Sequence, residues 1–201
     1  MAETVIQVSN LTKRYDGVLA VDRISFTIAQ GEIVGYLGPN GAGKSTTVKM
    51  LTGVLRPTEG SILIDGLDLL KAPIEVKRRI GYVPETGGVY ESLTAYEYLQ
   101  LVGRLYHIPE ELLEHRIEEF LRMLGLDGVM HERLSSYSKG MRQKVLISAA
   151  LLHNPKVLFL DEPLTGLDAH SALLVKELIR RLAAEGKTIF YCSHILDVVE
   201  R

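Results

Sequence analysis

Apolar residues gather along this chain in short bursts separated by glycine, aspartate and asparagine, and the period of each burst identifies an element. Near the N-terminus, Val5 to Val8, Val18 to Val21 and Ile24 to Ile28 read as short strands with Asp16-Gly17 and Asp22 between them. They predict a small antiparallel β-layer. Ile33 to Leu37 is a compact apolar strand, followed by a glycine-rich turn and a helix from about Lys44 to Leu51. Ser61 to Ile64 is a further strand, closed by the hairpin turn Asp65-Gly66. The period then changes. Ala95, Tyr98, Leu99, Val102, Leu105 and Tyr106 share one helical face. Leu113, Ile117, Phe120, Leu121 and Leu124 form another, opened at Pro109-Glu110-Glu111 and stopped by Gly125. Beyond these come a helix at about 139–152, a strand from Val157 to Leu160, a helix at about 170–185, a strand from Thr188 to Tyr191 and the start of a last helix.

Strands alternating with helices predict an α/β protein with a mainly parallel sheet, one N-terminal antiparallel layer and one inserted helical lobe. We expect one domain over 1–201. In it 1–85 and 155–201 form the α/β core, and about 86–154 forms the lobe.

Composition narrows this little. The 201 residues are 46% hydrophobic and 24% charged, as in ordinary globular chains. Lys and Arg total 23 against 25 Asp and Glu, a net charge of −2, so no overall basic field points to nucleic acid. The run Lys77-Arg78-Arg79 reads as a solvated helix face. A single cysteine, Cys192, permits neither an intrachain disulfide nor a Cys zinc cluster, which suits a cytoplasmic setting. No apolar run approaches the roughly 20 residues of a membrane span, and Met1-Ala2-Glu3-Thr4 does not read as a secretory leader.

The chemistry begins after the strand Ile33 to Leu37. Gly38-Pro39-Asn40-Gly41-Ala42-Gly43-Lys44-Ser45, with Thr46 after it, matches G-x-x-x-x-G-K-[ST]. Its glycines let backbone N–H groups converge on a phosphate, and the following helix offers its positive end. Lys44 is then placed for the β- and γ-phosphates and Ser45 for a Mg²⁺ ion.

A second polar point follows Val157-Leu158-Phe159-Leu160. Four apolar residues suggest a central parallel strand, and ligands bind beyond the C-terminal ends of such strands. Asp161 therefore stands where a Mg²⁺-coordinating carboxylate belongs. Glu162 stands where a carboxylate could take a proton from an attacking water, an effect typically worth ~10²–10⁴ in rate. The plainer reading is a solvated strand end; the phosphate loop in the same chain weighs against it. His194 follows the strand Thr188 to Cys192 and is placed to reach a γ-phosphate. The other five histidines show no metal-ligand spacing, and Cys192 reads as a buried, inert thiol.

Tyr137-Ser138-Lys139-Gly140-Met141-Arg142-Gln143 precedes a helix, and locally Ser138 reads as its N-cap. In order and spacing, however, Tyr15, Gly38 to Thr46, Tyr82-Val83-Pro84-Glu85, Ser138 to Gln143, Leu158 to Pro163, Gly166-Leu167-Asp168 and Ser193-His194 resemble the ATP-binding subunit of ABC transporters over essentially the whole chain. The resemblance implies a P-loop NTPase core with ATP and Mg²⁺ as ligands. Tyr15 would stack on adenine, and Glu85 would contact Mg²⁺ and sense the transporter. Ser138, Lys139, Gly140 and Met141 would form the signature that completes the ATP site of the opposite subunit. Asp168 would lie in the loop crossing between sites, Glu162 would be the catalytic base and His194 the switch histidine. It further implies a second, identical or homologous ATP subunit bound head to tail and an integral membrane permease. The chain would then sit in the cytoplasm on the inner face of the membrane.

Glu85 in place of the usual Gln, and Tyr137 and Lys139 as departures from Leu-Ser-Gly-Gly-Gln, are similar to an exporter branch with separate membrane subunits. The segment from Gly87 to Tyr106, with Tyr90, Leu93 and Tyr96, is the expected docking surface. A soluble, non-transport ABC ATPase is the alternative; repair members carry a long inserted coiled coil and translational members two ATP domains, neither of which fits. A guanine-specifying Asn-Lys-x-Asp string is absent. Family members continue past the switch histidine with two more strands and a helix. The chain stops at Arg201, so the expectation is a shortened or fragmentary form that lacks C-terminal strands and is marginally stable.

Overall fold

The computed structural model describes residues 3–85 and 88–193. The N-terminal layer is a four-stranded antiparallel sheet in the order β2 (Val18–Ala29), β1 (Thr4–Tyr15), β4 (Glu59–Ile64) and β5 (Leu67–Asp68). Strands β1 (Thr4–Tyr15) and β2 (Val18–Ala29) form a long hairpin around Asp16-Gly17, both with positive φ, the turn that matches strand twist. The predicted break at Asp22 is a bulge, not a turn. Arg23 takes φ +43, its N–H donates to Thr12 Oγ1 at 3.2 Å, and the Thr12 hydroxyl donates to Asn10 O at 3.2 Å. These side-chain bonds carry the ladder across the irregularity, so three expected short strands become two long ones. Strand β4 (Glu59–Ile64) pairs with β1, and Asp65-Gly66 turns it into β5 (Leu67–Asp68).

The second sheet is wholly parallel, in the order β3-β8-β7-β6: β3 (Ile33–Leu37), β8 (Thr188–Ser193), β7 (Val157–Asp161) and β6 (Ile80–Val83). The apolar run in β7 is explained by burial on both faces. Val157 and Phe159 join Phe190, Ile6, Ile62 and Met50 in the core between the two sheets and helix α1 (Lys44–Leu51). Leu158 and Leu160 face the opposite way. They pack with α5 (Lys139–Leu151) and α6 (Ala169–Ala184) through Leu146, Ile147, Val175 and Ile179. The short helix α2 (Pro73–Lys77) leads into β6.

The lobe consists of α3 (Ala95–Leu105), opened by a Thr94–Glu97 capping box, and α4 (Glu110–Met123). Leu99, Leu113, Ile117, Leu121 and Leu134 fill its core. Helix α5 belongs to both neighbours: Val145, Ala149 and Leu152 beyond its last turn face the lobe, while Leu146, Ile147 and Ala150 face the sheet. An asymmetric, all-round buried helix of this kind ties the lobe to the strand ends. Gly125, at φ +67, ends the stretch after α4 as predicted.

Candidate phosphate-binding site

The parallel register brings the C-terminal ends of β3, β7 and β8 together, and the polar residues gather there. The loop leaving β3 turns into α1 at Gly43, the helix N-cap, with φ +82. A Cβ on Gly43 would lie 2.5 Å from Ala20 O on β2, so this position needs glycine both for its backbone angle and for the approach of the hairpin. Lys44 curls inside the loop, 8% exposed, and its ammonium donates to Gly38 O at 2.5 Å and Pro39 O at 2.9 Å. The loop carbonyls thus hold a cation at its centre. Ala20, Asn40, Gly41, Gly43, Lys44, Ser45, Thr46, Glu85 and Glu162 enclose a polar cleft of about 330 Å³.

Asp161 ends β7, 2% exposed, and among the described residues its Oδ1 is buried without a hydrogen-bond partner. Burial raises its carboxyl above the ordinary aspartate range; a hydrogen bond from Ser45 opposes this, and the charges of Glu85 and Glu162 add to it. A buried carboxylate oxygen lacking a donor, beside a serine hydroxyl, is a hard-oxygen set that fits a small divalent cation. No group of three or more His, Cys, Asp or Glu is close enough to hold a metal among the described residues. A cation here would therefore complete its shell with water and phosphate oxygens.

Glu162 follows in the left-handed region, φ +49, and is 8% exposed. Its N–H donates to Cys192 O at 3.0 Å, and its carbonyl accepts from Thr165 N at 3.1 Å. Its Oε2 accepts from Ser193 Oγ at 3.4 Å. A non-glycine residue in this backbone region stores strain of order 1–3 kcal/mol, which the surrounding bonds sustain. The turn lifts the carboxylate off the strand into the cleft. Ser193 was legible only as a neighbour of His194. Its bond to Glu162 depends on β8 lying beside β7, with Cys192 opposite Asp161. Cys192 is buried, as expected, and that burial pushes its thiol far above the usual range.

Other predicted residues lie outside this cleft. Tyr15 is 43% exposed at the tip of the hairpin that carries Ala20, and Lys13 Nζ stands 5.0 Å from its ring centroid. Ser138 caps α5 by accepting from Met141 N at 3.2 Å. A Cβ on Gly140 would lie 2.6 Å from Gly166 O, so the start of α5 is locked to the loop after Glu162. Asp168 caps α6, accepting from Ser171 N at 2.9 Å and Ser171 Oγ at 2.7 Å; the Ser171 backbone bond foremost pulls its pKa down to about 2. None of Ser138 to Met141 lines the cleft. His194 lies outside the described residues.

A second, mainly apolar groove of about 400 Å³ opens between the lobe and the β6 edge of the sheet. Tyr82, Tyr98, Val102, Tyr106 and His153 are on its walls. His153 stacks on Tyr106 with centroids 3.8 Å apart and bonds Ile80 O through Nε2 at 2.9 Å. Of the residues expected for docking, Tyr90 is 64% exposed, whereas Tyr96 packs on the lobe core; Gly87 lies outside the described residues. No helix among the described residues is long and apolar enough to cross a membrane.

A parallel sheet whose first strand feeds a lysine-bearing glycine loop into a helix, with a buried aspartate two strands away, defines a P-loop nucleotide-binding fold. The ABC transporter family model matches residues 21–165. The chain is 46% identical over 185 residues to the ABC transporter ATP-binding protein NatA of Bacillus subtilis, covering 91% of this chain and 75% of that protein. It is 37% identical over 196 residues to Nod factor export ATP-binding protein I of Rhizobium meliloti, covering 98% of this chain but only 58% of that one. The dimeric post-hydrolysis structure of an ATP-binding cassette with ADP and Pi superposes with a TM-score of 0.88 at 28% identity, covering 96% of this chain and 89% of that one. This chain belongs to the ABC transporter family, as an ATP-binding subunit.

Proposed function

We propose that the chain hydrolyses ATP to power an exporter, through head-to-tail pairing with a second copy or a homologous subunit. One observation carries this reading: the buried, donor-less oxygen of Asp161 beside Ser45, at the mouth of a lysine-bearing phosphate loop, with Glu162 on a strained turn next to it. Lys44 exchanges the carbonyls of Gly38 and Pro39 for the β- and γ-phosphates. The amides of 38–43 and the N-terminus of α1 hold the phosphate chain. Mg²⁺, held by Ser45 and Asp161 with Glu85 nearby, would supply charge neutralisation at the transferring phosphoryl group. Glu162 accepts a proton from water as its oxygen bonds the γ-phosphorus and the bond to ADP breaks. Tyr15 stacks on adenine, and His194 faces the γ-phosphate.

Ser138 to Met141 lie away from the cleft of their own chain, and a second copy supplies what each cleft lacks; the dimeric relative supports this arrangement. Asp168 lies in the loop between the two sites. The apolar groove beside Glu85 receives a segment of the membrane permease, which places the subunit at the cytoplasmic face of the membrane. The similarity to a protein of Nod factor export favours the outward direction.

The test is sedimentation of the Glu162→Gln protein with and without Mg²⁺ and ATP. A monomer that becomes a dimer only with ATP is expected, with turnover abolished. A variant that binds ATP poorly, or turns over at the full rate, removes Glu162 from the role of general base.

A further inference from the structure

We propose that Lys139 of one copy forms an ion pair with Glu85 of the second copy across the ATP site, so that the two exposed charges act as a nucleotide-dependent latch. This rests on the head-to-tail reading above and adds to it a contact specific to this chain.

The cleft carries an excess of negative charge. Glu85, Asp161 and Glu162 meet there, opposed by Lys44 in the loop and Lys49 on α1. A triphosphate adds more negative charge to the same place. Within one chain Glu85 is exposed and makes no ion pair among the described residues.

Lys139 is the complementary group. It is the first residue of α5, next to the Ser138 cap, exposed and likewise without an ion pair among the described residues. Its stem is held in place: Cγ and Cδ each lie 3.1 Å from where a Gly166 Cβ would stand, so the methylenes run along the loop that follows Glu162. A lysine with a packed stem loses less entropy when its ammonium is engaged. In a head-to-tail pair the start of α5 faces the opposite cleft, and of the two carboxylates among the described residues lining that cleft, Glu85 is the exposed one. Twofold symmetry makes two such pairs per dimer, so each substitution acts twice.

The experiment is a double-substitution cycle in the Glu162→Gln background, reading the dimer dissociation constant by sedimentation with Mg²⁺ and ATP at low and high salt. Lys139→Gln is expected to weaken the dimer ~10- to 100-fold while Glu85 is present and no more than about twofold when Glu85→Gln is also present. Added salt should erase the first effect. The charge exchange Lys139→Glu with Glu85→Lys should recover most of the affinity lost by either alone. Both residues are exposed, and circular dichroism confirms that each variant folds. An equal loss from Lys139→Gln in both backgrounds overturns the pair alone. A Glu162→Gln reference that does not dimerise with ATP overturns the head-to-tail reading, and the pair with it.

Discussion

Gly41 and Gly43 offer an internal control on how the phosphate loop is built. Both have φ +82 and both lie in the same turn, but their surroundings differ. A Cβ on Gly41 meets nothing within 4 Å, whereas one on Gly43 would stand 2.5 Å from Ala20 O and 3.2 Å from Val21 Cγ2. Gly41→Ala therefore carries only the left-handed backbone cost, about 1 kcal/mol. Gly43→Ala carries that cost and an overpacking term of about 1–3 kcal/mol, because a main-chain oxygen in a paired strand cannot rotate away. The expected loss is ~1 kcal/mol for the first and ~2–4 kcal/mol for the second, read by urea unfolding as a shift in midpoint at constant slope. Part of the second effect will appear as weaker ATP binding if the loop moves off β2. Equal losses from the two substitutions would refute the claim that hairpin contact, and not backbone angle alone, demands glycine at Gly43.

Two further outcomes test the electrostatics. Asp65, in the turn after β4, bonds Arg79 and also Lys156 Nζ at 2.9 Å, joining the antiparallel layer to the starts of β6 and β7. Although burial alone would raise its pKa, the lysine and arginine together lower it. Asp65→Asn should cost about 1 kcal/mol at neutral pH, given that both cations are part-exposed. The difference from wild type should be present above about pH 4 and vanish as pH falls through the lowered pKa. A gap that persists at acid pH would show the effect to be steric. Asp161 has the opposite sign, because its pKa is raised. Its contribution to the nucleotide-free fold is most favourable below the unfolded aspartate pKa and is lost as pH rises through the folded one. Asp161→Asn should therefore raise the melting midpoint of the nucleotide-free protein at neutral pH while losing the added protection from Mg²⁺ and ATP. A lowered midpoint, or full protection, would contradict this account.

The Glu162 turn shows how strain and function share a position. Its positive φ is sustained by bonds to Cys192 and Thr165, both supplied by the ends of β8 and the loop before α6. The same loop meets Gly140 and the stem of Lys139. Movement at the start of α5 is thus mechanically continuous with the residue proposed as base, through backbone contact and not through a chain of flexible side chains.

Much of the architecture was legible because it depends on local periods and local turn chemistry. The apolar runs of β7 and β8, the helical faces at Leu99 and Ile117, the turn at Asp16-Gly17 and the loop around Lys44 all follow from neighbours within a few residues. What those periods could not supply was the effect of pairing at a distance. The hydroxyl of Thr12 keeps β2 continuous past Asp22, although an aspartate after an apolar run reads as a turn. The short elements β5, α2 and β6 carry too few residues for a period to declare itself. The bond from Ser193 to Glu162, the dependence of Gly43 on Ala20 and the burial of Asp161 Oδ1 each join residues that only the sheet order brings together. Sequence alone determined which chemical groups the chain carries and on which kind of element each sits. The tertiary structure decided which groups meet, because burial, close approach and the shift of a carboxylate pKa are properties of what surrounds a residue, and those surroundings come from strands far apart in the chain.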